Sequence, residues 1–358
     1  MRIAADRPEP GTSNFVEGLP DGPILLLRPD RLGDVLLSLP AFAAVKQHWP
    51  NRPVVAAVSS YTAPIVVACP FIDDVWALPV VDGRGRFSPD TWHDKPRPAA
   101  AVSYFSDFPN ALAIWRQRIP RRLGPASKLA QIFYNHRVRQ RRSQSIKPEW
   151  AYNLDLSHAL IRLAGDEPGP APGAPLLHFD DVTDDDRVAF GREHGLPPER
   201  NWVFIHPGSG GSAPAPTPAD YTRVADSIAE SGCRFVITAG PNELPLAEQL
   251  AGTMQHLSPT VYHSQGGLVD FARNLRHADL FISGSTGPAH LAGALARPTA
   301  TFYPNLPTAG PLRWQTLAPE ARRFAFTPPD GAAPFDMTAI DYAAVGRELG
   351  VWLAGRAG

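Results

Sequence analysis

The chain alternates short, continuously apolar segments with longer helical patterns, and it does so in two successive halves. The apolar segments have the length of strands, and they are 24–28, 54–59, 99–104, 202–206, 234–239, 280–283 and 299–303. Strands that alternate with helices in this way form parallel sheets in α/β domains. The pattern therefore predicts an α/β protein with two parallel-sheet, Rossmann-like domains that face a central cleft.

Helical periodicity fills most of the intervals between these strands. The helices are expected over 35–48, 62–68, 221–231, 244–250, 271–276, 290–296 and 339–353. The last of them can pack on either domain, and the sequence leaves that choice open.

A proline- and glycine-rich segment, 168–175, separates the two halves. The residue before each proline is disfavoured in a helix, so this stretch is the best candidate for an interdomain linker. We therefore expect a tail at 1–22, an N-terminal domain at 23–167, a C-terminal domain at 176–335 and a terminal helix at 336–358.

Composition narrows the functional classes. A formal net charge of -1 gives no global attraction to nucleic acid. Two cysteines, one in each half, exclude a disulfide framework and a cysteine metal site, and they favour a reducing cytosol. The first twenty residues carry charges and prolines where a signal peptide needs an apolar core, and no run is long enough to span a bilayer.

Two glycine-rich segments follow strands in the second half. Residues 283–292 read Ser-Gly-Ser-Thr-Gly-Pro-Ala-His-Leu-Ala, and 206–212 read His-Pro-Gly-Ser-Gly-Gly-Ser before a helix that begins near Pro218. A strand that turns into a helix through such a loop presents free backbone N–H groups and a positive dipole end, which together bind anions. Two such sites predict a ligand with two phosphates.

A polar turn, Arg28-Pro-Asp-Arg-Leu-Gly-Asp34, follows the first strand. Asp34 precedes a helical pattern at the rim of the expected cleft, which leaves two interpretations. It is an N-cap, which stabilises a helix by about 1 kcal/mol, or it is a catalytic base. Asp30 is a weaker candidate for the same catalytic role.

Taken together, four segments resemble the heptosyltransferase family of glycosyltransferases, glycosyltransferase family 9. They are 28–41, 206–213, 240–243 and 285–292, and the similarity runs from about Pro23 to Leu353. The resemblance implies the GT-B architecture and inverting transfer of a heptose or related sugar from a nucleotide-diphosphate donor, with ADP-heptose favoured. It also implies a lipopolysaccharide-core or similar surface glycan as acceptor, no cofactor and no metal held by an Asp-x-Asp motif.

The resemblance also implies roles for individual residues. Asp34 corresponds to the general base. Arg28, Arg31 and Arg122 are candidates on the acceptor side. The expected donor and phosphate ligands are Ser209, Gly210, Gly211, Ser212, Glu243, Ser285, Thr286, Gly287 and His290. Considered without the resemblance, His290 is a packed core histidine, and Glu243 is an acid placed favourably near a helix start.

This chain departs from the family pattern at two positions. Pro214 stands where many members have a lysine, and Ser285 stands where several have an aspartate. An arginine such as Arg313 could replace the missing cation. The departures keep two alternatives open, a nucleotide-sugar-binding homologue that has lost catalysis and a GT-B sugar-nucleotide epimerase. A dinucleotide oxidoreductase is disfavoured because the first strand lacks the Gly-x-Gly-x-x-Gly motif.

The segment from Arg116 to Lys147 contains ten Lys or Arg residues and no Asp or Glu, with Trp115, Phe133 and Tyr134 among or beside them. It is either a solvated face or a basic rim that attracts an anionic glycolipid or the inner membrane, at about 1 kcal/mol per basic residue. No nucleic-acid-binding module accompanies it, so nucleic acid is not an expected partner. We expect a cytoplasmic protein with peripheral contact to the cytoplasmic face of the inner membrane.

Overall fold

The computed structural model describes residues 18–179, 183–211 and 214–356. The first half contains eight strands and five helices. They are β1 (Ile24–Arg28), α1 (Leu32–Leu36), α2 (Leu39–His48), β2 (Val54–Ser59), α3 (Ala63–Val66), β3 (Asp74–Leu78), β4 (Val80–Val81), β5 (Arg84–Gly85), β6 (Ala100–Ser103), α4 (Phe108–Arg116), β7 (Arg121–Pro125), β8 (His136–Val138) and α5 (Glu149–Leu163).

Six of these strands form one parallel sheet in the order β3-β2-β1-β6-β7-β8, and β4 and β5 form a separate antiparallel ribbon. β1 lies at the centre of the sheet, and all five of its residues are buried. Its continuous apolar sequence fits this position because helices cover both faces of a parallel sheet.

The second half follows the same plan. Its elements are α6 (Asp184–His194), β9 (Trp202–His206), α7 (Pro218–Ile228), β10 (Arg234–Ala239), α8 (Leu244–Thr253), β11 (Thr260–His263), α9 (Gly267–Leu275), β12 (Leu280–Gly284), α10 (Gly287–Ala294), β13 (Thr299–Phe302), α11 (Pro311–Trp314), β14 (Arg323–Phe326) and α12 (Tyr342–Ala354). The parallel sheet has the order β11-β10-β9-β12-β13-β14. The prediction of two Rossmann-like parallel sheets is confirmed.

The two domains contact each other directly. α1 packs against α10, and α3 packs against α9. The segment after the proline-rich stretch runs between them, because the Leu176 N–H donates to the Ala294 carbonyl (2.8 Å) and the His178 N–H donates to the Ala68 carbonyl (2.8 Å). Leu177 and Phe179 add apolar side chains to a core cluster that draws on both domains.

Two helix predictions differ from the structure. The helix expected over 35–48 is divided into α1 and α2, because Pro40 lacks an N–H and lies in the first turn of a new helix. The helix expected over 62–68 spans only Ala63–Val66.

The terminal helix α12 packs on the C-terminal domain, against α7. Gly346 lies at the closest approach of these two helices, since a Cβ there would stand 2.4 Å from the Val224 carbonyl oxygen. No helix within the described residues has the length and hydropathy needed to cross a membrane.

Candidate active site

The guanidinium of Arg28 lies at the carboxyl end of β1 and is only 2% exposed. Its Nε donates to Asp30 (2.7 Å) and one Nη donates to Asp34 (2.6 Å). The other Nη donates to Asn153 (3.0 Å) and lies 3.5 Å from Glu149. Burial alone would lower the pKa of Arg28, but the three carboxylates outweigh it and raise that pKa.

Glu149 begins α5 and is itself almost fully buried, 2% exposed. Besides Arg28 it pairs with Arg142 (2.5 Å) and with Arg313. Arg313 belongs to α11 in the C-terminal domain and also donates to the Arg142 carbonyl (2.8 Å). A single buried carboxylate therefore ties both domains to the charge network beneath Asp34.

The N-cap interpretation of Asp34 is wrong. The N-cap of α1 is Arg31, whereas Asp34 lies in the first turn and its carboxylate accepts from Arg28. Its side chain is 20% exposed. The Arg28 contact therefore fixes one oxygen of a carboxylate that solvent still reaches, which suits a base.

Asp30 lies deeper than Asp34. Burial, together with the negative charge of Asp34, raises the pKa of Asp30 to about 7 against the attraction of Arg28. Asp30 therefore pairs with Arg28 in the interior of the domain, where solvent reaches its carboxyl group less than it reaches that of Asp34.

A cavity of about 410 Å³ opens above this network. Its wall includes Asp34, Arg31, Tyr104, Phe105 and Trp314, the last from the C-terminal domain. None of the expected donor ligands in the second sheet lines it. The cavity is therefore a space next to the candidate base that the first domain and α11 enclose.

A larger cavity of about 700 Å³ lies at the opposite, amino ends of β1 and β2, beside Pro23 and Pro53. In open α/β sheets ligands bind outside the carboxyl ends of the strands. The candidate base and the glycine-rich loops also lie at the carboxyl ends, so we place the site there.

The donor-side loops follow β9, β10 and β12, which are neighbours in the second sheet. In the first loop, Gly210 and Gly211 have φ of 51° and 70°, a region where glycine carries no steric penalty. Ser209 accepts from the Gly211 N–H (3.3 Å). Ser212 lies outside the described residues.

Glu243 folds back over this first loop. Its Oε2 accepts from the Gly240 N–H (3.0 Å) and lies 3.4 Å from Nε2 of His206. A Cβ at Gly208 would stand 2.1 Å from the Glu243 carboxylate, so only glycine permits this approach. Burial lowers the pKa of His206, although Glu243 opposes the shift. The Glu243 carboxylate is thus held against the loops that follow β9 and β10.

Two buried polar atoms in the turn from β12 into α10 have no hydrogen-bond partner among the described residues. They are Oγ1 of Thr286, the N-cap of α10, and Nδ1 of His290. Ser285 and Gly287 flank Thr286 in the same turn. Each unpaired buried group costs about 1–3 kcal/mol, so a ligand that hydrogen-bonds to these atoms would remove that cost.

The two halves of the site meet where α1 contacts α10. The His290 ring covers Gly33, since a Cβ there would stand 2.8 Å from Cδ2 of the imidazole. Burial lowers the pKa of His290 to about 4, and the neighbouring Asp34 opposes that shift only in part. His290 is therefore neutral near pH 7 and lies between the candidate base and the donor loops.

The N-terminus of α7 carries its own side-chain cap. Thr217 accepts from the Asp220 N–H (3.3 Å) and Asp220 accepts from the Thr217 N–H (3.0 Å), which closes a capping box. The carboxylate of Asp220 neutralises this helix end. The N-cap side chain of α10, Thr286, makes no cap bond.

Two of the acceptor-side candidates are not free to bind. Arg28 is enclosed by its carboxylates. Arg122 lies outside the cavity wall, where its Nε donates to the Phe133 carbonyl (2.8 Å) and its Nη donates to the Ile119 carbonyl (2.6 Å). Arg31 is exposed and lines the cavity.

Arg313 does not supply the cation expected in place of a lysine at Pro214, because its guanidinium is paired with Glu149. Sequence reasoning also missed Glu149 and Asn153. Glu149 is the first residue of α5, Asn153 lies one turn later, and both are more than 120 residues after Arg28 in the sequence. An acid at the start of a helix is common, so no local signal singled Glu149 out.

Comparison with known proteins adds two findings at the level of sequence. A family model described as glycosyltransferase family 9 (heptosyltransferase) matches residues 111–325. A protein of Haemophilus influenzae (strain ATCC 51907 / DSM 11121 / KW20 / Rd) named "Putative glycosyltransferase" is 39% identical over 315 residues, which cover 86% of this chain and 90% of that protein.

Solved structures share the architecture. The family 9 glycosyl transferase from Veillonella parvula DSM 2008 has a TM-score of 0.72 at 16% identity, covering 93% of this chain and 96% of that one. E. coli ADP-heptose lps heptosyltransferase II has a TM-score of 0.70 at 17% identity, and the match covers 94% of this chain and 100% of that one. E. coli heptosyltransferase WaaC with ADP has a TM-score of 0.66 at 18% identity, and the match covers 92% of this chain and 99% of that one. At these identities the likeness shows the fold.

Proposed function

The chain belongs to glycosyltransferase family 9 and is a glycosyltransferase, and from this premise we propose that it transfers a heptose or related sugar with inversion. The observation that carries the proposal is the contact of α1 with α10. It places a carboxylate with one free oxygen beside a turn that holds unpartnered buried polar atoms.

Asp34 is the proposed general base. The acceptor hydroxyl attacks the anomeric carbon and passes its proton to Asp34, while the bond from that carbon to the nucleotide diphosphate breaks and the diphosphate leaves with the electron pair. A base positioned in this way contributes about 10²–10⁴-fold to the rate. Arg28 acts through Asp34, because the 2.6 Å contact fixes the position of the carboxylate.

The donor diphosphate is proposed to bind the turn before α10. Thr286 Oγ1 and the free N–H groups of this helix start supply donors, and neutral His290 supplies a further polar atom. Ser209, Gly210, Gly211 and Ser285 complete the loops, and Glu243 accepts from a ribose hydroxyl. ADP-heptose is the favoured donor, since E. coli ADP-heptose lps heptosyltransferase II and WaaC with ADP share the fold.

The acceptor is proposed to be a lipopolysaccharide-core or similar anionic surface glycan that enters the 410 Å³ cavity. The basic segment from Arg116 to Lys147 lies on the same domain as this cavity. Trp115, Leu129 and Ile132 expose large apolar side chains in or beside that segment. Apolar groups among cations suit an anionic membrane surface, so we propose a cytoplasmic enzyme in peripheral contact with the inner membrane.

The test is transfer from ADP-heptose to lipopolysaccharide truncated before its heptoses, followed by mass spectrometry of the product and by NMR of the new anomeric centre. A heptose-extended product of inverted configuration supports the proposal. Binding of ADP without a product on this or other truncated glycans contradicts it and favours a homologue that has lost catalysis, for which Pro214 is the sequence argument.

A further inference from the structure

Arg313 is a cation of the C-terminal domain whose partners all lie in the N-terminal domain or beside it in α11. Its side chain is 11% exposed, and one Nη pairs with Glu149. The other Nη donates to the Arg142 carbonyl (2.8 Å), and the guanidinium carbon lies 4.9 Å from the centroid of the Tyr152 ring. These contacts tie α5 and the segment before it to the C-terminal domain.

One route from α5 to Asp34 runs through side chains. Glu149, the first residue of α5, lies 3.5 Å from one Nη of Arg28. The other Nη of Arg28 donates to Asp34 (2.6 Å). Charged groups in a buried site interact more strongly than they do in water. A displacement of Glu149 would therefore move the guanidinium that orients the proposed base.

A second route from α5 reaches the main chain of Asp34. Asn153 donates to the Ser38 hydroxyl (3.1 Å), and that hydroxyl donates to the Asp34 carbonyl (2.9 Å). Asn153 also accepts from Arg28 (3.0 Å). Both Asn153 and Ser38 are fully buried. Helix α5 therefore holds Asp34 twice, by its carboxylate through Arg28 and by its main chain through Ser38.

The short helix that carries Arg313 is anchored on the donor side. The next residue, Trp314, has its ring centroid 6.4 Å from that of His290, which follows the donor turn before α10. The carbonyl of Trp314 accepts from the Tyr303 hydroxyl (3.1 Å), just after β13. The position of α11 is thus set by the domain that carries the proposed diphosphate site.

We propose that Arg313 is a positioning residue for the base: it holds Glu149 and α5, and through them it sets the orientation of Asp34 relative to the donor. The inference rests on the proposed transferase function, in which the base belongs to one domain and the leaving diphosphate to the other. Arg313 borders the cavity beside Asp34, but both of its Nη groups are engaged within the protein. It therefore acts through Glu149.

The test uses two substitutions at Arg313. Arg313→Met keeps the length of the side chain without its charge, and Arg313→Lys restores the charge opposite Glu149. In both variants Glu149 keeps Arg28 and Arg142 as partners, so the buried carboxylate stays paired and the chain is expected to fold. Thermal unfolding and ADP titration check this.

The matched control is Arg276→Met. It removes a half-buried arginine of the same domain, which donates to the Phe179 carbonyl (3.0 Å) in the segment between the domains instead of pairing with Glu149. Two quantities are measured for every variant. They are the steady-state kinetics of transfer from ADP-heptose to lipopolysaccharide truncated before its heptoses, and amide hydrogen exchange over 32–38, which includes Asp34.

We expect Arg313→Met to lower kcat about 10- to 100-fold, because a small displacement of a catalytic group is enough for a loss of this size. The KM values for ADP-heptose and for the acceptor should stay within about twofold, since no contact with either substrate is removed. Exchange over 32–38 should become faster. Arg313→Lys should recover most of kcat, and Arg276→Met should match the wild type in both measurements.

An unchanged kcat in Arg313→Met, with the wild type active, overturns the positioning role and leaves the proposed function standing. A higher KM for the acceptor at an unchanged kcat overturns it too, because Arg313 would then bind the acceptor directly. Absence of transfer by the wild type overturns the proposed function. Exchange over 32–38 still decides the structural part in that case, and an unchanged rate in Arg313→Met overturns it.

Discussion

At the carboxyl end of the N-terminal sheet the buried guanidinium of Arg28 contacts three carboxylates. At the same end of the C-terminal sheet two buried polar atoms have no hydrogen-bond partner among the described residues. The first group is Arg28 with Asp30, Asp34 and Glu149. The second is Thr286 Oγ1 and His290 Nδ1, which have no partner in the described ranges. The first group is satisfied within the protein, and the second has hydrogen-bonding capacity left for the ligand that we propose.

This difference separates two physical tasks. A base must be held in one orientation and one charge state before substrate binds, which a satisfied ion network achieves. A phosphate site gains most when its donors are otherwise unpaired, because binding then removes a desolvation cost. The comparison predicts that changes at the first end alter turnover or folding, and that changes at the second alter ligand binding.

The largest expected effect is on turnover. Asp34→Asn keeps the shape of the side chain and removes the proton acceptor, so kcat should fall about 10²–10⁴-fold with the affinity for ADP unchanged. Steady-state transfer kinetics and ADP titration check this. Asp82→Asn is the matched control, an acid of the same cavity wall outside the Arg28 network, and it should retain kcat. Unchanged turnover in Asp34→Asn would exclude Asp34 as the base.

The next effect is on folding. Glu149→Gln leaves the buried guanidinium groups of Arg28 and Arg313 and the half-buried one of Arg142 without their shared carboxylate. Loss of one partner of a buried pair costs about 3–5 kcal/mol. Urea unfolding should show this loss. Asp155→Asn, on the same helix, removes only an exposed pair with Lys147 and should cost under about 1 kcal/mol. Equal stability of the two variants would show that the network does not hold the domain together.

A smaller effect concerns the pH dependence of the free energy of unfolding. Burial lowers the pKa of His290 to about 4, whereas an unfolded histidine titrates near 6.5. The unfolded chain therefore binds this proton first, and the free energy of unfolding falls as pH drops from about 6.5 to about 4. His290→Gln should lessen that fall by up to about 3 kcal/mol in unfolding experiments at pH 7 and pH 4.

The control for this pH effect is His256→Gln, because it removes an exposed histidine instead of a buried one. A His290→Gln protein with the same pH dependence as the wild type would show that His290 is not buried in its neutral form.

The smallest effect tests the N-terminus of α7, where Thr217 and Asp220 form a capping box. Thr217→Ala opens the capping box of α7 and should cost about 1 kcal/mol of stability without changing ADP affinity. Thermal unfolding and ADP titration measure the two quantities. Weaker ADP binding in this variant would mean that α7, like α10, faces the diphosphate.

Local sequence patterns predicted much of this architecture. The apolar strands and the glycine-rich loops are short-range features, so the two parallel sheets and the positions of Thr286 and Gly210 could be predicted directly. The capping box of α7 was also visible, since Thr217-Pro-Ala-Asp220 has the required spacing, but the glycine loop before it drew the interpretation toward phosphate binding.

Contacts between distant segments could not be predicted in the same way. Arg28 and Glu149 are 121 positions apart, and their ion pair depends on how α5 returns across the sheet. The packing of His290 on Gly33 depends on how the two domains face each other. The same holds for Arg313, whose pairing with Glu149 crosses from one domain to the other. These positions follow from tertiary packing, which no local pattern encodes.

Calorimetric titration with ADP of the wild type, Asp34→Asn and Thr286→Val tests the division between the two ends most directly. The account predicts that wild type and Asp34→Asn bind ADP alike, and that Thr286→Val, which keeps the shape but removes the hydroxyl, binds at least tenfold more weakly. Loss of ADP binding in Asp34→Asn together with unchanged binding in Thr286→Val would contradict it.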